Sequence, residues 1–132
     1  MTDDTFDLIL LCVRPCDEPQ PDFIGQARRA DSLGGSLRLL AEKTPCDAIL
    51  IGLEIADTLP VHAIRRLSEA FPDIALVVCV HAHEEAEALK LVDAGATDYI
   101  LSDVMDETNQ KSRISYAIQR HAARSLFRIA FE

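Results

Sequence analysis

The chain has 132 residues, the size of one domain, and its 48% hydrophobic content suits one sizeable core. A formal net charge of −9, from 22 Asp+Glu against 13 Lys+Arg, sets aside direct binding to nucleic acid or to an anionic membrane. The acidic start MTDDTFD lacks a basic secretory region, and no run approaches the roughly 18 apolar residues of a membrane span. The expectation is a cytoplasmic protein whose cysteines, Cys12, Cys16, Cys46 and Cys79, stay reduced.

FDLILLCV, residues 6–13, is a short apolar run that predicts a buried strand. RPCDEPQPD, with three prolines, predicts a loop, and FIGQARRA predicts a weaker strand. ADSLGGSLRLLAEK predicts a helix capped by Asp31 or Ser32, with Leu33, Leu37 and Leu40 at helical spacing. Gly34 and Gly35 weaken it by roughly 1 kcal/mol each relative to alanine.

DAILIGL is a second strong strand. PVHAIRRLSEAF predicts a helix with Pro60 in its first turn and Val61, Ile64, Leu67 and Phe71 as its apolar stripe. PDIALVVCV is a third strong strand. HEEAEALKLVDAG predicts a helix with Ala88, Leu91 and Val92 inward and Gly95 as its stop. TDYILS predicts a short strand. The closing stretch from Asp106 predicts a long helix with Ile114 and Ile118 on one side. Strands alternate with helices and are apolar on both faces, the pattern of a parallel sheet covered on both sides. Sites in such folds lie at the carboxyl ends of the strands.

With these elements in place, the sequence resembles a response-regulator receiver domain, of the CheY-like family, over residues 6–124. DAGATDYILSD, residues 93–103, is similar to the family's run before the fifth strand. DAILIGL followed by AIRRLSEAFPDIALVVCV has the family's order from third to fourth strand. ADSLGGSLRLL and ISYAIQRHA resemble the second and last helices of receivers found in multidomain cyclic-di-GMP and sensor-kinase proteins. The resemblance implies a flavodoxin-like, doubly wound α/β fold with five parallel strands in the order 2-1-3-4-5. It also implies a pseudo-receiver over 1–124, with 125–132 opening a linker helix toward a further domain.

In receivers an acid pair after the first strand holds Mg²⁺, and an aspartate ending the third strand accepts phosphate. A Thr or Ser ending the fourth strand and a Lys ending the fifth bind the phosphoryl oxygens. Such chemistry needs a carboxylate nucleophile, a cation and donors. This sequence departs at each place. Gly52 stands at the phosphoacceptor position and has nothing to attack with. Cys12 and Val13 stand at the acid pair, His81 at the hydroxyl residue and Ser102 at the lysine. The expected reading is a non-enzymatic signalling domain that needs no cofactor. It would pair as a homodimer and regulate an attached or partner signalling domain, such as a cyclic-di-GMP synthase, a phosphodiesterase or a kinase.

Only residues 14–22 separate the first strand from FIGQA, so the first helix is expected to be missing or reduced to a turn. That would leave an apolar trough for a second copy to cover. The alternative is that DFIGQARRA is itself the first helix and the second strand is absent. Ile114, Ile118, Ala122, Leu126 and Ile129 are the expected seam of a dimerising or linker helix.

An alternative function is a small-ligand or redox sensor built on the altered strand ends, lined by Cys12, Val13, Arg14, Gly52, His81 and Ser102. A weaker one is phosphorylation at Glu54 or Asp57. Cys79, His81 and His83 share a face of an extended strand, but no fourth zinc ligand is evident, so no metal site is expected.

Overall fold

The computed structural model describes residues 6–11, 24–43 and 46–131, with the backbone alone at 24–26 and 124–131. Its elements are β1 (Phe6–Leu11), β2 (Ile24–Ala30), α1 (Leu33–Ala41), β3 (Ala48–Ile51) and α2 (Pro60–Ala70). They continue with β4 (Ala75–Val80), a 3₁₀ turn (Ala82–Glu84), α3 (Glu85–Ala94), β5 (Asp98–Leu101) and α4 (Glu107–Phe131). The five strands are all parallel, in the order β2-β1-β3-β4-β5. IGQARRA is thus a strand and not a first helix. The expected shortening of the first helix concerns residues 12–23, which lie outside the described residues.

Alternation along the strands sends two apolar layers to opposite faces. Ile9, Leu11, Ile49, Ile51, Leu76 and Val78 point to one side, where Leu40 of α1, Ile64 and Leu67 of α2 and Leu91 of α3 complete the core. Leu8, Leu10, Ala48, Leu50, Val77 and Ile100 point to the other and share a buried cluster with Ile114 and Ala117 of α4. Burial on both faces explains why β3, β4 and the Leu8–Leu11 stretch of β1 read as unbroken apolar runs.

Local chemistry sets the helix ends. Ser32 is the N-cap of α1, its side chain accepting from the Gly35 N–H at 3.0 Å. Pro60 opens α2, where its missing N–H is harmless. Gly95 ends α3 at φ +133°, and a Cβ there would meet Ile64 Cγ2 at 3.6 Å. The strain is therefore in the backbone more than in the space.

Two expectations change. Leu8, Leu10 and Leu50, which would line a trough beside α4, are each no more than 5% exposed in a single copy. No second copy is needed to cover them. Ile114, expected on a pairing seam, is fully buried with the sheet, and Ile118 packs against the same cluster. These two side chains hold α4 to its own domain. Ala122 is exposed; the side chains of Leu126 and Ile129 lie outside the description.

Ile114→Ala should cost ~2–5 kcal/mol, the range for truncating a fully buried isoleucine. Urea denaturation checks it: the midpoint should fall well below the wild-type value, while Ala122→Ser should leave it nearly unchanged.

Candidate functional site at the strand ends

Gly52, His81 and Ser102 follow the last residues of β3, β4 and β5, so the fold brings these three predicted positions to one edge. Val80 and Leu101 are register partners, which sets His81 and Ser102 at the same level. Cys12, Val13 and Arg14 lie outside the described residues.

The edge has no nucleophile where the fold would use one. Gly52 is buried, and its N–H continues the sheet by donating to the Leu11 carbonyl at 2.8 Å. The Ser102 hydroxyl donates back to the Val80 carbonyl at 3.4 Å. His81 begins the 3₁₀ turn: its N–H donates to Glu84 Oε1 at 3.1 Å, and the Glu84 N–H donates to the His81 carbonyl at 2.9 Å.

Backbone donors at this edge are held by the chain's own acids. The Ala82 N–H donates to Asp103 Oδ1 at 2.9 Å, tying the loop after β5 to the loop after β4. Asp57 crosses to α1, its carboxylate accepting from the Leu33 N–H at 2.8 Å and the Gly34 N–H at 3.1 Å. The Ala56 N–H adds a bond to the Asp31 carbonyl at 3.2 Å. Helix N-termini bind anions through such N–H groups. Here side-chain carboxylates already occupy them, and a carboxylate also repels an incoming anion. Segments 31–32, 52–59, 81–84 and 102–106 contain no lysine or arginine to offset that charge. Hydrogen bonds from Gly34 and Leu33 hold the Asp57 carboxyl below its ordinary value of 3.8.

Among the described residues, the cysteines and histidines do not converge on a reactive centre. The Cys46 thiol donates to the Ala48 carbonyl at 3.2 Å, and burial pushes it up to about 11, so it stays protonated at neutral pH. Cys79 packs with the cluster on the α4 side of the sheet. The His81 and His83 rings lie 5.9 Å apart and tilted by 59°. Among the described residues no group of three His, Cys, Asp or Glu is placed to hold a metal ion.

A second constellation lies along β5 and α4. Asp98 takes Arg113 at 3.3 Å and Arg120 at 2.7 Å, two arginines seven residues apart on one helical face. Arg113 also lies 5.4 Å from the Tyr99 ring centroid, and the Tyr99 hydroxyl donates to Glu85 Oε2 of α3 at 2.7 Å. That bond raises the Tyr99 pKa first, with desolvation second. The i, i+7 arginine spacing was visible in the sequence; Asp98 as their shared partner was not.

The geometry can be set beside known proteins. No protein-family model matches the sequence, and no curated protein matches it. Among solved structures, an adenylate cyclase structure from Rhodopirellula baltica aligns with a TM-score of 0.70 and 11% identity, over 96% of this chain and 97% of that one. A response regulator receiver domain from Clostridium thermocellum aligns with a TM-score of 0.59 and 18% identity, over 72% of this chain and 75% of that one. The fold is that of the response-regulator receiver. NtrX from Brucella abortus aligns with a TM-score of 0.64 and 13% identity, over 96% of this chain but 29% of that one. Identities this low carry the receiver architecture and not the receiver chemistry, which has to be read from the strand-end residues themselves.

Asp57→Ala should destabilise the domain at pH 7 by uncapping α1. The Asp57 pKa is depressed in the folded state, so its contribution is present above the unfolded value near 4 and is lost as pH falls through the folded value. The gap in urea midpoint between wild type and variant should be full at pH 7 and shrink below pH 4.

Proposed function

We propose that this chain is a receiver-fold signalling module that takes up no phosphoryl group at its strand ends and regulates an attached or partner domain through its surfaces. The observation that carries the reading is Gly52 at the end of β3, where a receiver needs its acceptor carboxylate. The acid-capped donors around it support the same conclusion. A phosphoryl group arriving there would meet Asp103 on the Ala82 N–H and would find no cationic side chain in the described edge segments. Asp57, the nearby candidate for an unusual phosphorylation, is engaged as the cap of α1.

The output route is α4. His121 contacts the residue before β5 and the turn before β4, so by that point the helix has crossed the sheet from its carboxyl edge to its amino edge. Residues 122–131 continue as helix beyond it, about 15 Å at the usual rise. Their sequence carries Leu126, Phe127, Ile129 and Phe131. Two copies would pair along these turns, and the pairing would set the geometry of whatever follows. NtrX, in which the aligned part is 29% of the chain, supports an attached output as the form of this module. A cyclic-di-GMP enzyme or a kinase is the proposed class. No helix among the described residues is long and apolar enough to cross a membrane. The proposed setting is the cytoplasm, with neither nucleic acid nor membrane as a direct partner.

Treatment with acetyl phosphate and Mg²⁺ should leave the intact mass unchanged; an added phosphoryl group mapped to residues 52–57 would contradict the reading. Light scattering at high micromolar concentration should return a dimer. Leu126→Asp combined with Ile129→Asp should return a monomer with an unchanged thermal midpoint. A monomeric wild-type chain would remove the pairing half of the proposal.

A further inference from the structure

His121 stands apart from the other residues that anchor α4. Ile114 and Ala117 are apolar, and apolar contacts are non-directional; they tolerate small sliding and rotation of a helix. Arg113 and Arg120 reach Asp98 with long side chains that are 36% and 58% exposed, and these contacts, with the Arg113 bond to the Tyr99 carbonyl, tie α4 to β5 alone. His121 instead joins three elements through one ring. Its Nδ1 lies 3.4 Å from Thr97 Oγ1, just before β5, and its Nε2 bonds the carbonyl of Pro72, in the turn before β4.

The proton positions follow from the partners. The Leu76 N–H donates to Thr97 Oγ1 at 3.1 Å, and the Thr97 N–H donates to the Leu76 carbonyl at 2.8 Å, which locks Thr97 to the start of β4. The Thr97 hydroxyl then has its own proton to give, and Nδ1 accepts it. A carbonyl can only accept, so Nε2 donates to Pro72, and in the neutral ring this leaves Nδ1 to accept from Thr97. The chain Leu76 N–H to Thr97 O–H to His121 Nε2–H to the Pro72 carbonyl runs in one direction, and every group in it has a partner. A planar ring held at both nitrogens restricts the rotation and height of the helix that bears it.

We infer that the Thr97–His121–Pro72 chain is the fulcrum of α4: it fixes the rotation and height at which the helix leaves the amino edge of the sheet. His121 is thus a positioning residue for residues 122–131. The inference deepens the reading of α4 as the output arm and rests on it for its consequence, not for its geometry. An arm that swivelled at its base would not convey a partner's pull to the sheet; one held at His121 would move the starts of β4 and β5 with it.

Hydrogen–deuterium exchange on the full chain tests this. His121→Ala should speed exchange of the amides of residues 114–123 roughly tenfold, as expected for a local opening, with β1 and β3 unchanged. Thr97→Val, which keeps the ring but removes the hydroxyl, should speed the same segment. His121→Gln should recover much of the protection, because its amide supplies both a donor for the Pro72 carbonyl and an acceptor for the Thr97 hydroxyl. Unchanged exchange at 114–123 in both His121→Ala and Thr97→Val would overturn the inference. So would acceleration spread evenly over the sheet, or no recovery in His121→Gln. A monomeric wild type showing the expected pattern would end the pairing reading and leave the fulcrum standing. A dimeric wild type with no local change would do the reverse.

Discussion

The seating of α4 on the sheet is the contact on which the rest of the molecule depends. A parallel sheet must be covered on both faces. On one face α1, α2 and α3 share that task; on the other, α4 is the single helix among the described residues. Ile114 and Ala117, both wholly buried, share a cluster with Val77 and Ile100, so loosening α4 would expose the centre of the sheet. The polar contacts of the same helix refine that seating. Asp98 gathers Arg113 and Arg120 from one helical face, and His121 fixes the far end on Thr97 and Pro72. A helix so placed is part of the core for its first half.

The opposite edge of the sheet follows a different logic. Parallel α/β folds offer backbone donors where strands pass into helices, and these normally serve ligands. Here the chain answers its own donors with acids. Asp57 takes two N–H groups of α1, Asp103 takes Ala82, and Glu84 takes His81. These bonds link the loops after β3, β4 and β5 to their neighbours without any bound group. On the function proposed above, with Gly52 at the end of β3, these bonds make the edge a structural seam.

Much of this was legible in the sequence, for reasons that differ by element. LILL in β1, AILI in β3 and ALVVCV in β4 are apolar at every position because both sheet faces are buried, and such runs need no tertiary knowledge to read. The place of Gly52 followed from counting along a recognisable strand. The caps by Asp57 and Asp103 were not legible, since they span 23–24 and 21 residues and depend on how loops lie across the edge. Thr97, Pro72 and His121 were hidden for the same reason; nothing local marks a threonine as the partner of a histidine 24 residues away. The expected trough failed because a short connection predicts a missing cover, whereas exposure depends on the whole chain. Ile114 and Ile118 lie on one side of α4, as their spacing predicts, and that side faces the chain's own sheet.

The central claim is that the strand-end edge is closed to anions and that the fold is kept for its surfaces. Titration of isotopically labelled protein with beryllofluoride and Mg²⁺, a mimic of a phosphoryl group, tests it most directly. The account predicts no saturable movement of the amide resonances of Gly52, His81, Ala82 and Ser102. Saturable shifts centred on those four residues would contradict it.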